Sequence, residues 1–249
     1  MKKAWIFVVI IILLLGGYLV YSKTDIKDKL NDKKDNSINN NINNEEEVNN
    51  LSNDLKDISS NLGLLVIFDA VYNYNDGGKY EPNTGKNLLT TGNKQVFIME
   101  QILKDSKNYD NFIVLSSDGK EIVENVEPTE ETTVAYYPYD LFKEEYKKYF
   151  NDNFDIDNRE KSSFDTKYDK DKNYIYYENK KIGLNGINVT SIDITSVNYD
   201  SSSKTYTSLV KINYSDRAKE RMNIDSSNGT IKYIRDNNNL YLVSFEINK

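Results

Sequence analysis

The stretch VTSIDITSVNYDSSSKTYTSLVKINY, Val189–Tyr214, is where the fold can be read most directly. Two runs rich in β-branched and aromatic residues flank Asp200-Ser201-Ser202-Ser203. That pattern predicts that Val189 to Tyr199 pairs with Thr205 to Tyr214 as antiparallel strands. Tyr206, Val210, Ile212 and Tyr214 keep period-two parity, which should place them on the core face.

Towards the C-terminus, Asn228-Gly229 has the form of a two-residue hairpin turn between Met222–Asp225 and Thr230–Ile234. Leu240 to Ile247 would close the sheet, with Tyr241, Val243, Phe245 and Ile247 on one face and Asp236 to Asn239 as the turn. Upstream, Tyr174-Ile175-Tyr176-Tyr177 and Lys181 to Leu184 flank a turn at Glu178-Asn179-Lys180. Earlier still, Phe112 to Leu115 and Ile122-Val123 flank Ser116-Ser117-Asp118-Gly119, a hairpin signal, and Thr132 to Tyr136 is a further strand.

Helical patterns precede most of these strands. Ser59-Ser60-Asn61 offers N-cap chemistry for a buried helix running to about Tyr74, stopped by Asn75-Asp76-Gly77-Gly78. A second helix spans about Asn93 to Ser106, with Val96, Met99, Ile102 and Leu103 on one face. Pro138 opens a third, Tyr139 to Phe150, in which Phe142, Tyr146, Tyr149 and Phe150 face inward while Lys143, Glu144, Lys147 and Lys148 face water. Helices first and antiparallel strands after describe an α+β domain, with helices packed on an antiparallel β-meander.

A different physics governs the N-terminus. Trp5 to Tyr21, WIFVVIIILLLGGYLVY, is an uncharged apolar run behind Met1-Lys2-Lys3. As a helix from Ala4 it would span roughly 27 Å, enough for a bilayer core. It reads as a transmembrane signal-anchor over residues 1–23. A cleaved signal peptide is the alternative, although the run exceeds a usual signal h-region of roughly 7–15 residues. Lys2 and Lys3 favour a cytoplasmic N-terminus, while the lysines from Lys23 to Lys34 oppose it. The expectation is N-in with the domain extracellular, because long polar domains translocate largely regardless of charge.

Residues 24–58 are Lys/Asp-mixed, then Asn-rich, then acidic at Glu45-Glu46-Glu47, and read as a disordered tether with an r.m.s. span of roughly 30–35 Å. Ile26, Leu30, Ile38, Ile42, Val48, Leu51, Leu55 and Ile58 are spaced as in a frayed helix or weak coiled coil, but asparagine clusters argue against one. The soluble domain is thus expected over 59–249.

Composition excludes much chemistry. The chain's 249 residues contain no cysteine and no histidine. That rules out disulfide scaffolds, thiolate nucleophiles, Cys/His zinc sites and serine–histidine triads within the chain. Beyond Ile58 there are 24 basic against 30 acidic residues, a net charge near −6. The basic footprint of a nucleic-acid binder is missing, and attraction to anionic lipid is disfavoured.

Asp169-Lys170-Asp171-Lys172-Asn173 has the oxygen spacing that starts a calcium loop, yet Tyr174 stands where glycine is needed and Lys180 where a bidentate acid is needed. It reads as a solvated turn. Asn151 to Asp157 likewise lacks the glycine. The acidic pairs Glu124 with Glu127 and Glu130 with Glu131 would suit glycoside hydrolysis only if they faced a cleft. Ser201 and Lys204 formally make an S-x-x-K dyad, but inside a tight turn. Tyr136, Tyr137, Tyr139 and Tyr174 to Tyr177 are the densest of the 20 tyrosines. They read either as half-buried strand formers or as a platform for sugars or peptides. No catalytic, cofactor-binding or metal residue is assigned, and no cofactor is expected.

The layout of basic head, single apolar run, Asn/Asp/Lys-rich tether and small α+β domain resembles uncharacterised surface proteins of low-GC Gram-positive bacteria. Its local core is the segment Tyr136 to Phe150, which looks like their helix of type y-x-x-l-x-x-x-Y-x-x-x-F. Those members often end that helix Phe-Gly, where this chain has Asn151. The resemblance implies a cone of helix and curved sheet like nuclear transport factor two, or a cystatin-like sheet, and brings no catalytic residues. The expected role is a membrane-anchored extracytoplasmic domain that binds or scaffolds a protein, peptide or envelope polymer. The competing role is an extracytoplasmic carboxylate-dependent hydrolase.

Overall fold

A computed structural model describes residues 44–73, 80–115, 121–122, 134–154, 167–178, 186–237 and 239–248. The apolar run Trp5–Tyr21 lies outside them. Among the described residues, no helix is long and apolar enough to cross a membrane. What is described is α+β: helices α1 (Asn44–Tyr72), α2 (Thr91–Lys104), α3 (Tyr139–Tyr149) and α4 (Asp216–Met222), with two antiparallel sheets.

The four-stranded sheet joins β6 (Val189–Asp200), β7 (Thr205–Tyr214), β8 (Ser226–Asp236) and β9 (Asn239–Ile247) in chain order, the expected meander. The β6/β7 hairpin pairs Tyr199 with Tyr206 and Asp200 with Thr205. Val210, Ile212 and Tyr214 are buried, and Tyr206 packs against the core, as parity requires. Ser208 shares that face at 0 % exposure and donates its hydroxyl to the Ser196 carbonyl at 3.1 Å. The β6/β7 register shifts around Thr190 and Thr195. Their hydroxyls donate to the carbonyls of Asn213 (3.2 Å) and Leu209 (2.9 Å), compensating part of the broken ladder.

Two expectations for this sheet are corrected. Asn228-Gly229 forms no turn, because β8 runs straight through it and Gly229 pairs with both Val210 and Ile247. Glycine is needed there for close approach: a Cβ would sit 3.0 Å from the Glu246 carbonyl oxygen and 3.1 Å from Ile212 Cδ1. The true connection is α4, with Ser215 Oγ accepting from the Ala218 amide at 3.3 Å and Asn223 in the left-handed region at φ 56°. In β9, Phe245 and Ile247 face the core as expected, but Leu240 and Leu242 do so in place of Tyr241 and Val243. A register shift opposite Lys232 and Tyr233 leaves Val243 unpaired in the ladder and inverts the parity.

The five-stranded sheet has the order β2-β1-β3-β5-β4, from β1 (Ile113–Leu115), β2 (Glu121–Ile122), β3 (Val134–Pro138), β4 (Lys167–Asp169) and β5 (Tyr174–Glu178). The β1/β2 pairing follows the hairpin signal. β4 was not foreseen. It pairs with one edge of β5 and β3 with the other, so the neighbours of β5 are not Lys181 to Leu184, which lie outside the described residues.

The largest correction concerns the tether. α1 begins at Asn44, not Ser59, and the compact unit begins at Asn43. Val48, Leu51, Leu55, Ile58, Leu62 and Leu65 recur at alternating three- and four-residue steps, one helical stripe. The last five are at most 3 % exposed, while Asn49, Asn50 and Asn53 face outward. Burial of each aliphatic side chain is worth about 1.5–3 kcal/mol as an upper estimate. That outweighs the few tenths of a kcal/mol per residue that asparagine costs a helix. Ser59 and Ser60 are mid-helix, and Asn61 donates its amide to the Phe97 carbonyl at 3.1 Å.

α2 is capped by Thr90 and buries Val96, Met99, Ile102 and Leu103 as expected. It also buries Phe97, Ile98, Gln95 and Gln101, because α1 and α3 enclose it from two sides. In α3, Phe142 and Tyr146 are buried, followed by Phe150 at the cap.

α1 meets β6 with no room to spare: a Cβ on Gly63 would lie 2.7 Å from Val189 Cβ. Gly63→Ala should therefore destabilise the fold by about 1–3 kcal/mol. Combined with Val189→Gly, which removes the contacted Cβ, Gly63→Ala should cost less than it does alone, so thermal unfolding of the single and double variants checks the contact. Strict additivity would show that Gly63 and Val189 do not touch.

Candidate functional site

The structure describes some of the sequence candidates and not others. Asp169 ends β4, and its Oδ1 accepts the backbone amides of Asp171 and Lys172, both at 3.1 Å. The calcium-like run is thus the turn it was read to be, with Asn173 at φ 57°. Among the described residues, no group of three or more acidic side chains could hold a metal ion. Asp152 accepts from the Tyr146 hydroxyl at 2.6 Å and pairs with Lys94 at 2.6 Å, joining α2 to the end of α3. Ser201 and Lys204 are exposed in the β6/β7 turn, which Asp200 organises. Hydrogen bonds from Ser202, then Ser203, hold that carboxyl at a pKa of about 2. Glu124, Glu127, Glu130 and Glu131 lie outside the described residues.

The tyrosine group divides by strand parity. Ala135, Tyr137 and Ile175 turn into the core and are at most 3 % exposed. Tyr136, Tyr174 and Tyr176 stand half-buried on the opposite face, and none of the three packs against the core. Tyr136 pairs directly with Tyr176 across the β3/β5 ladder. Their ring centroids are 5.4 Å apart at 75°, and Tyr174 approaches Tyr136 at 6.5 Å and 80°. Both are edge-to-face contacts, the favoured aromatic geometry. Lys172, in the turn before β5, brings its Nζ to 5.1 Å from the Tyr136 ring centre. Tyr139 sits elsewhere, against Tyr168 and Phe154.

A second cluster was not foreseen at all. Arg235 on β8 reaches α1, where Nη2 and Nε meet Glu47 Oε1 at 2.8 and 2.9 Å, and Nη2 meets Asp54 Oδ2 at 2.9 Å. The Tyr233 hydroxyl donates to the same Glu47 oxygen at 2.9 Å. Tyr206 stacks on Tyr233 at 5.1 Å and 10°, and Tyr199 lies tilted against Tyr206 at 4.6 Å and 42°. Burial works against the Arg235 charge, but the bonds from Glu47 and Asp54 outweigh it and its pKa is raised. Burial, then the Glu47 charge, pushes the Tyr233 hydroxyl far above its usual range. Nothing in the sequence pairs residues so far apart, and Glu47 stood in an acidic run assigned to the tether.

A cleft of about 160 Å³ lies between α1 and the start of β6, walled by Gly63, Leu64, Ile67, Ile187 and Val189, with no charged side chain in its lining. Comparison with protein-family models, with curated proteins and with solved structures finds no match for this chain.

Replacing Arg235 by Met should cost roughly 3–5 kcal/mol, because Glu47 would be left buried without a counter-charge. Glu47→Leu combined with Arg235→Met should recover much of that loss in chemical denaturation. Alkaline titration supplies a further check. Burial raises Tyr146, Tyr214 and Tyr233, and lifts Tyr149 to about 12. Unfolded tyrosine titrates near 10. Above that pH the unfolded chain releases protons that the folded one keeps. Stability should therefore hold below about pH 10 and fall as pH rises further. Tyrosinate absorbance should show these hydroxyls ionising together with unfolding rather than before it.

Proposed function

We propose that this chain is a membrane-anchored extracytoplasmic binding domain that docks an envelope protein or polymer on the tyrosine face of its five-stranded sheet. The observation that carries the reading is the outward set Tyr136, Tyr174 and Tyr176, three large amphipathic rings that contribute nothing to the core. Tyrosine offers broad contact area with a polar tip at low entropic cost, which suits a recognition surface. The apolar run Trp5–Tyr21 supports the membrane attachment, and the basic head before it supports an extracytoplasmic domain. The hydrolase alternative gains no support. Glu47 and Asp54, two carboxylates that the fold brings together, are both taken up by Arg235.

Photo-crosslinking on intact cells tests both halves. Full-length wild type should yield an envelope adduct that is lost in Tyr136→Leu/Tyr174→Leu, with the variant's thermal unfolding unchanged. Equal adducts from both proteins would remove the tyrosine face from the account. External protease should cut the domain on intact cells; protection until lysis would overturn the placement.

A further inference from the structure

We infer that the ring face of Tyr136, bordered edge-on by Tyr174 and Tyr176, is a recognition site for the ammonium or guanidinium group of a lysine- or arginine-bearing polypeptide, and that Lys172 occupies it as a built-in competitor. The inference rests on the binding role proposed for this face and names the chemistry of the partner.

The geometry is that of a cation site. An aromatic ring attracts a cation over its face, where the quadrupole is negative, within about 6 Å of the centroid. Lys172 Nζ lies 5.1 Å from the Tyr136 centroid. The neighbouring rings stand at 75° and 80° to Tyr136, so neither stacks flat upon it, and the Lys172 ammonium lies over that ring. Tyr136 is held there by the ladder, paired with Tyr176 on β5 and with Ile113 on β1. The Lys172 ammonium lies over the Tyr136 ring, with the Tyr174 and Tyr176 rings beside that ring.

The hold on Lys172 is slight. Lys143, whose Nζ sits 4.7 Å over Tyr139, is also paired with Asp140 at 2.7 Å. Lys172 has no such carboxylate among the described residues. Its side chain is exposed, and its backbone amide is fixed by Asp169. The anchoring of the turn keeps the ammonium close to the ring, and among the described residues the ring alone retains it. An incoming cation needs only to displace an intramolecular one of the same kind.

Long-range charge favours that cation. Residues 1–42 hold seven of the 32 basic and four of the 39 acidic residues, so the unit from Asn43 onward carries 25 against 35, a net of −10. Such a field draws basic segments in and turns anionic ones away. It does not locate where they bind; the rings do.

The test measures binding of a fluorescent pentalysine peptide to the full-length chain in neutral detergent micelles, by anisotropy at low and moderate salt. Lys172→Met vacates the ring face and should tighten binding by about two- to fivefold. Tyr136→Phe keeps the π face and should bind like wild type. Tyr136→Leu should lose the salt-resistant part of the binding. Pentaglutamate should not bind. Equal pentalysine binding by wild type, Lys172→Met and Tyr136→Leu would overturn the inference, because diffuse attraction to an acidic domain would then account for all of it. The thermal midpoint of Lys172→Met, an exposed substitution, should be unchanged and controls for folding. If Tyr136→Leu abolishes the cellular adduct yet leaves pentalysine binding untouched, the docking face stands and its cation chemistry falls. If it changes neither, both fall.

Discussion

One guanidinium ties the beginning of the domain to its end. Arg235, near the close of β8, holds Glu47 and Asp54 in the first turns of α1, and Tyr233 adds its hydroxyl to the same carboxylate. A helix that crosses a sheet on aliphatic contacts alone can slide, since Leu51, Leu55 and Ile58 would pack nearly as well a turn away. Charged groups in a desolvated place cannot, because a shifted register leaves at least one of them unpaired. The clamp's value is therefore specificity of register more than net stability. The aliphatic stripe makes the first four turns of α1 part of the domain, and the clamp fixes where along the sheet they sit.

From that fixed helix the remaining layers follow. α1 runs along β6 until Gly63 meets Val189, and it passes Asn61 to the backbone of α2. α2 is then enclosed by the aromatic side chains of α3, with Phe97 in edge contact with Tyr149 and Phe150. Burial on several sides explains why nine of its fourteen residues are buried while a surface helix would show one stripe. Gln95 is enclosed there with both amide atoms lacking a protein partner, the one conspicuous polar cost among the described helices.

How much of this was legible depended on the range of the deciding interaction. The β6/β7 hairpin was readable because its parity, turn and length are local and agree. The α3 face was readable for the same reason. Asn228-Gly229 misled because a strong local turn signal was outweighed by strands on both sides of it, which sequence does not reveal. β9 misled at Tyr241 and Val243 because a bulge depends on its partner strand. α1 was the instructive error: the spacing from Val48 to Leu65 was visible, but asparagine propensity was weighed without the core that rewards the aliphatic stripe. The Glu47–Arg235 pairing had no local signal, since neither residue has a neighbour that implies the other. Among candidate sites, Asp169 to Asn173 was correctly read as a turn. The densest tyrosines were visible in the sequence, but not which of them face outward.

That last distinction rests on a single step of the chain. Beyond the apolar run the sequence offers neither tryptophan, cysteine nor histidine, so tyrosine serves as core filler, hydrogen-bond terminus and surface aromatic at once. Which role a given tyrosine takes is set by the pleat. Tyr137 and Tyr136 are adjacent, yet one lies at 3 % exposure under Phe112 and the other stands on the far face. Ile175 between Tyr174 and Tyr176 fixes the register from the core side, because moving β5 by one residue would bury two hydroxyls and expose an isoleucine. The energetic demand of the interior thus determines the composition of the exterior. A face of aligned tyrosines follows from an apolar residue packed between them.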